Sequence, residues 1–391
     1  MESQLWTSHF VRVCLANLLL FVSLYMLYPV LPVVMAGRLG VPVSETGHLY
    51  LFFVVGMLLV GPFHNYLVDA FKRKNVCMLA FMAMMATVAG YAFVRNLLEL
   101  QLLCLVQGTA FGLATTAGIT LGIDVTNSSF RSAGNQVFSW AARLGMILGI
   151  AAGVFMFGTY GFESLLYLSV AIGALGILVL AGVYVPFRAP IVTKVCSSDR
   201  FLLPRGLVPA VNLIFIAFVP GMLLPMLLQS PVNVLIGGIP VPFFGVACVG
   251  FLLTAVLVRL FFRGNNKMWV QVVVGLTLMI GAIGSMSQVI LPQVTELLLA
   301  AILFGLSLGL IAPEFLTLFV KLSEHCQRGT ANTMHLLAWE IGIALGIATT
   351  CSIRTDASQE VVYQVGMFSA IVALIFFVLV TYPYFKAKKR R

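Results

Sequence analysis

Three ionisable side chains, Arg143, Glu314 and Glu340, lie deep inside long apolar runs of this 391-residue chain. A charge at the centre of a bilayer costs about 2.5 to 3.5 kcal/mol even on the lenient insertion scale, so each needs a partner or a use. The opposite signs of Arg143 and Glu340 allow a structural ion pair, a gate, or a pair of contacts to a polar or zwitterionic solute. Glu314 follows Pro313 and lies seven residues before Lys321, about 10 Å along a helix. A carboxyl in apolar surroundings can take up and release a proton under physiological conditions, which makes Glu314 the first candidate for proton coupling. Gln107, Asn332 and Trp339, with Asn17 and Gln136, are polar at similar depth and can line a cavity or bond between helices. His335 lies five residues before Glu340, about 140° away around a helix, and reads as a bundle histidine rather than a relay.

These residue types do not gather into a reactive centre. None of the five histidines is paired at i, i+4, and the seven cysteines show no CxxC spacing. A phosphate-cradling Walker loop is also missing from the sequence. No metal, no cofactor and no enzymatic activity are therefore expected, and energy must come from an ion or solute gradient unless a partner supplies ATP hydrolysis.

The elements that position these residues are apolar helices. The chain is 61% hydrophobic and 9% charged, with a mean hydropathy of +1.05. A soluble domain carries roughly a quarter charged residues. Runs long enough to span a bilayer fall near 10–34, 47–68, 76–95, 99–123, 134–157, 164–187, 207–228, 240–262, 268–290, 296–320, 331–352 and 361–384. The net charge of +10 sits in short clusters between these runs, as a membrane flank requires and unlike the solvated basic face of a nucleic-acid binder. Eighteen of the 23 basic residues fall in one alternating set of loops, against Arg38, Arg95 and Arg354 in the other. Both termini are thus expected in the cytoplasm of a cell (inner or plasma) membrane protein, contacting lipid and no nucleic acid.

The polar interval 191–205 divides the chain into 1–190 and 206–391. A shift of 197 residues superimposes Arg131 on Arg328, Asn135 on Asn332, Gly145 on Gly342 and Gly149 on Gly346. Phe111-Gly112-Leu113 recurs as Phe304-Gly305-Leu306 at a shift of 193. The expected architecture is all-α, twelve transmembrane helices in two pseudo-symmetric six-helix bundles. The 197-residue shift also pairs Arg143 with Glu340, each about 18 Å from its loop arginine and turned away from the glycine stripe. Both are expected at mid-depth, on the face toward a central cavity.

Between the second and third runs, Asn65, Asp69, Ala70, Lys72, Arg73 and Lys74 fall where one large family carries a Gly, an Asp and a basic cluster. Gln107-Gly108 and the stripe Gly145, Gly149 and Gly153 follow, and the first run ends Leu-Tyr-Pro-Val-Leu-Pro over residues 27–32. On these motifs the chain resembles the major facilitator superfamily over essentially its whole length, and within it the drug/proton antiporter-like efflux branch. It departs at Asn65, at Ala70, at Cys104 in place of an arginine, and at Ile150 in place of a proline. The resemblance implies a monomeric secondary transporter working by alternating access, with Asp69, Arg73 and Lys74 as a cytoplasmic latch and a small organic solute expelled in exchange for protons. An uptake permease of the same fold, or a receptor or assembly factor without turnover, are the alternatives.

Overall fold

The computed structural model describes residues 5–185, 195–197, 201–228, 233–236, 239–262, 267–287, 294–324, 327–353 and 359–388. The expected linker 191–205 is described only at 195–197 and 201–205, and the remainder of it lies outside the described residues.

Helix α1, Ser8–Tyr25, starts at Thr7, whose hydroxyl accepts the Phe10 N–H at 3.2 Å. Pro29 has no N–H to continue a helix, so the expected single span 10–34 turns through residues 26–30 and resumes as α2, Leu31–Leu39. Next come α3 (Val43–Gly47), α4 (Leu49–Val60), a 3-10 turn holding Pro62, α5 (His64–Ala70), α6 (Arg73–Gly90) and α7 (Leu97–Asp124). Asn96 caps α7 by accepting the Glu99 N–H at 2.9 Å.

Helix α8 runs from Arg131 to Ala181, 51 residues, where two runs separated by a loop were expected. A straight helix of that length would reach about 76 Å, over twice the hydrocarbon thickness. The break is a single residue, Gly161, at φ 81° and ψ −178°. Only glycine adopts that conformation readily.

The second part comprises α9 (Leu207–Leu223), strands β1 (Asn233–Ile236) and β2 (Ile239–Pro242), α10 (Phe243–Phe261), α11 (Lys267–Ser287) and α12 (Val294–Leu322). It ends with α13 (Arg328–Ile353), α14 (Gln359–Phe376), a π-helical turn and α15 (Tyr382–Lys388). The hairpin was not expected from the sequence. Its strands pair antiparallel, with Asn233 opposite Pro242 and Ile236 opposite Ile239, so the helix expected from 240 starts only at Phe243. Among the described residues, ten helices are long and apolar enough to cross a membrane.

Helices pair through glycines that leave no room for a side chain. A Cβ on Gly145, Gly149 or Gly153 of α8 would meet the Leu18, Val22 or Met26 carbonyl of α1. On α13, Gly342 and Gly346 stand in the same way against Ile214 and Phe218 of α9. The pattern recurs where Gly108 of α7 meets Phe53 of α4, and Gly305 of α12 meets Ala247 of α10. Without a hydrophobic drive between helices in lipid, such close backbone approach supplies the dispersion that holds the pairs. Gly108 and Gly305 are 197 residues apart, as are Gly112, against Val60, and Gly309, against Thr254. The 193-residue shift expected for α7 and α12 is thus one helical turn out, and one register relates α7 and α8 to α12 and α13.

Candidate functional site

The break after α1 sets two phenols side by side. Tyr25 ends the helix and Tyr28 lies in the turn before Pro29, their rings stacked 4.3 Å apart. Both are buried. Each donates its hydroxyl to Glu340 of α13, Tyr25 to Oε1 at 2.6 Å and Tyr28 to Oε2 at 2.8 Å. Glu340 is 1% exposed, and each of its oxygens is engaged by one hydroxyl.

Arg143 of α8 is 2% exposed and, like Glu340, faces inward as the repeat suggests. The two make no direct ion pair. Instead the Arg143 guanidinium lies 3.9 Å over the ring of Trp339, which is itself fully buried. Its Nε and Nη1 have no hydrogen-bond partner among the described residues. Arg143 and Tyr25 from residues 1–190 thus meet Trp339 and Glu340 from residues 206–391 in one buried cluster.

Below Arg143, toward the helix ends that begin at Arg131 and Arg328, lies a small cavity of about 30 Å³. Its lining includes Asn135, Phe138 and Ser139 of α8, and Asn332, His335 and Leu336 of α13. These are equivalents at the 197-residue shift, so the cavity is flanked by matching faces of the repeat. Asn17, from α1, donates to the Phe138 carbonyl at 3.2 Å and joins the wall. His335 packs edge-on to Phe319, and its Nε2 has no partner among the described residues.

Two expected cavity residues lie elsewhere. Gln107 accepts the Tyr91 hydroxyl at 2.6 Å, beside Cys104, within α6 and α7 and outside this cavity. Glu314 is half-buried on α12, outside the cavity, with Lys267 and Lys321 as the charges that act on it. Gln136 bridges α8 to α12 through Thr317 at 2.9 Å. Thr116 of α7 touches both His64 and Thr333 of α13. Contacts between the two parts therefore close both ends, with α3 and α4 against α13 at one and α7 and α8 against α12 and α13 at the other.

At the basic end, Arg73 bonds Asp69 at 2.9 Å and grips Asp124 at 2.6 and 2.7 Å. Lys74 donates to the Ala181 carbonyl and Arg12 to that of Gly182, the negative end of α8. These partners of Arg73 and Lys74 all lie within residues 1–190. Asp124 was missed in the sequence, although an acid closing a span next to a basic loop is a usable signal. Among the described residues no three His, Cys, Asp or Glu side chains gather into a metal-sized group.

A family model described as Major Facilitator Superfamily matches residues 13–347. No curated protein matches the chain significantly in sequence. In structure it is similar to the human organic anion transporter MFSD10 (TETRAN), with a TM-score of 0.65 and 16% identity over 94% of this chain and 98% of that one. A bacterial homolog to the human lysosomal transporter Spinster is similar in its inward-facing, unoccupied form, with a TM-score of 0.63 and 16% identity over 97% and 96% of the chains. The inward-facing, occupied form of that homolog gives a TM-score of 0.59 at the same identity and coverage.

Proposed function

The chain belongs to the major facilitator superfamily and is a multi-pass membrane transporter; from that premise we propose that it expels a small organic solute in exchange for protons. In this reading it has twelve spans: α8 crosses twice about Gly161, and the shorter α6 crosses once beside the other candidate helices. The basic end faces the cytoplasm of the cell membrane with both termini, and the monomer works by rocking 1–190 against 206–391.

The observation that carries this reading is the buried cluster joining the two parts, in which Tyr25 and Tyr28 of one clasp Glu340 of the other. Protonating Glu340 removes an acceptor position and the charge that both hydroxyls stabilise, which loosens the clasp between the two parts. Glu340, rather than the peripheral Glu314, then links proton uptake to their relative movement. The glycine stripe of α8 against α1 resembles the family's exporters and supports the outward direction.

The test is counterflow of labelled solutes through purified protein in sealed liposomes under an imposed pH gradient. Glu340→Gln is expected to abolish the response to the gradient and Glu314→Gln to retain it. The opposite pattern would return the coupling role to Glu314, and no flux of any solute would leave a transporter-like receptor.

A further inference from the structure

The polar interval between the two parts buries two apolar side chains at the basic end. Phe201 and Leu203 are 5% and 2% exposed, while Leu202 between them is 41% exposed. The tip of the Phe201 ring fills the place that a side chain on Gly61 would need, and the ring stands edge-on to His64 with centroids 6.0 Å apart. Just upstream, the Ser197 N–H donates to the Pro62 carbonyl at 3.0 Å. These partners all belong to residues 1–190. Two residues beyond Phe201, the Leu203 N–H donates to Sδ of Met334 at 3.3 Å, and Gly206 packs against Met334 and Phe319. Those partners belong to residues 206–391. The chain is thus fastened to both parts, beside the place where Thr116 touches His64 and Thr333.

From this geometry we infer that residues 201–203 are a gate element, in which the Phe201 side chain is a wedge that holds the basic end closed and leaves Gly61 and His64 when that end opens. The inference rests on the rocking of the two parts proposed above. Two residues of chain span at most about 7 Å, so the parts cannot draw far apart there with both grips kept. Leu203 runs through the 3-10 turn Pro204–Gly206 straight into α9 and moves with the second part. The grip that gives way is therefore the one on Gly61 and His64. Its release exposes an aromatic side chain, which weights the balance toward the closed state. A flexible tether needs neither a buried ring nor a glycine to receive it.

The test is double electron–electron resonance between labels at exposed Asn75 and Glu324, in cysteine-free full-length protein in lipid nanodiscs at one pH. Phe201→Ala is expected to raise the ratio of long to short distances about tenfold, the order of one buried side chain, and Phe201→Leu to raise it less. Gly61→Ala puts a methyl group where the ring tip lies and is expected to raise the ratio in the same direction from the other side of the contact. In the Phe201→Ala background Gly61→Ala should add nothing, because both changes break one contact.

Two populations in the parent protein with an unchanged ratio in Phe201→Ala and Gly61→Ala would overturn the wedge and leave the rocking of the two parts intact. Shifts that add in the double variant would also overturn it, since they mark two separate disturbances of the fold. A single short distance in the parent and in every variant would remove both the wedge and the rocking, whereas a single short distance that becomes two on Phe201→Ala supports the wedge.

Discussion

At the scale of residues, the molecule places a carboxylate and a guanidinium near each other and gives each a different companion. Glu340 is held by Tyr25 and Tyr28, and Arg143 by the face of Trp339. Tyr25→Phe removes one donor and leaves a buried carboxylate oxygen unpaired, so it is expected to lower stability by about 1 to 3 kcal/mol. Thermal melting of the purified protein measures this, and Tyr28→Phe should behave alike through the other oxygen. Asp124→Asn weakens the grip on Arg73 at a site where the side chains are 35% and 20% exposed. Its cost is expected to stay below about 1 kcal/mol in the same assay, because water screens the pair. The sequence made the burial of Arg143 and Glu340 legible, since a repeat fixes equivalent positions on two helices. It did not reveal their partners: Tyr25 is 315 residues from Glu340, and nothing local links a phenol after one loop to an acid on a distant helix. The facing of Gln107 toward Tyr91 was illegible for the same reason, since nothing local links the two.

At the scale of elements, glycines decide which helices touch. Gly108→Leu and Gly305→Leu each drive a side chain into the backbone of the partner helix, at Phe53 and at Ala247. Both are expected to abolish accumulation of folded protein, measured by size-exclusion profile after membrane extraction. Gly112→Ala meets only the His64 ring and a Val60 methyl at 3.3 and 3.4 Å and should be tolerated. That contrast tests the 197-residue register directly, since the 193-residue alternative would give Gly112, not Gly108, the role of Gly305. Gly161→Ala is expected to destabilise the bend of α8, because a side chain is strained at φ 81° whatever the space around it. The apolar runs and the glycine stripe were legible because membrane length and close packing leave direct marks on composition. The β1–β2 hairpin was not, since Pro240 and Pro242 border an apolar run whose periodicity continues into α10.

At the scale of the whole molecule, the two parts meet at both ends of the buried cluster, and the function rests on their opening one end at a time. Gln136 to Thr317 and Thr116 to Thr333 tie the basic end, while α3 and α4 against α13 tie the other. Two bodies rocking about a buried cluster cannot lengthen both ends together. Spin labels on exposed Asn75 and Glu324 report the basic end, and labels on exposed Phe93 and Glu360 the opposite end. Double electron–electron resonance on each pair, in a cysteine-free background in lipid nanodiscs, gives the two distance distributions across a range of pH. The expected result is two populations at each end, with one distance lengthening as the other shortens when the pH changes. A single unchanging distance at both ends, or a lengthening of both together, would contradict alternating access in this protein.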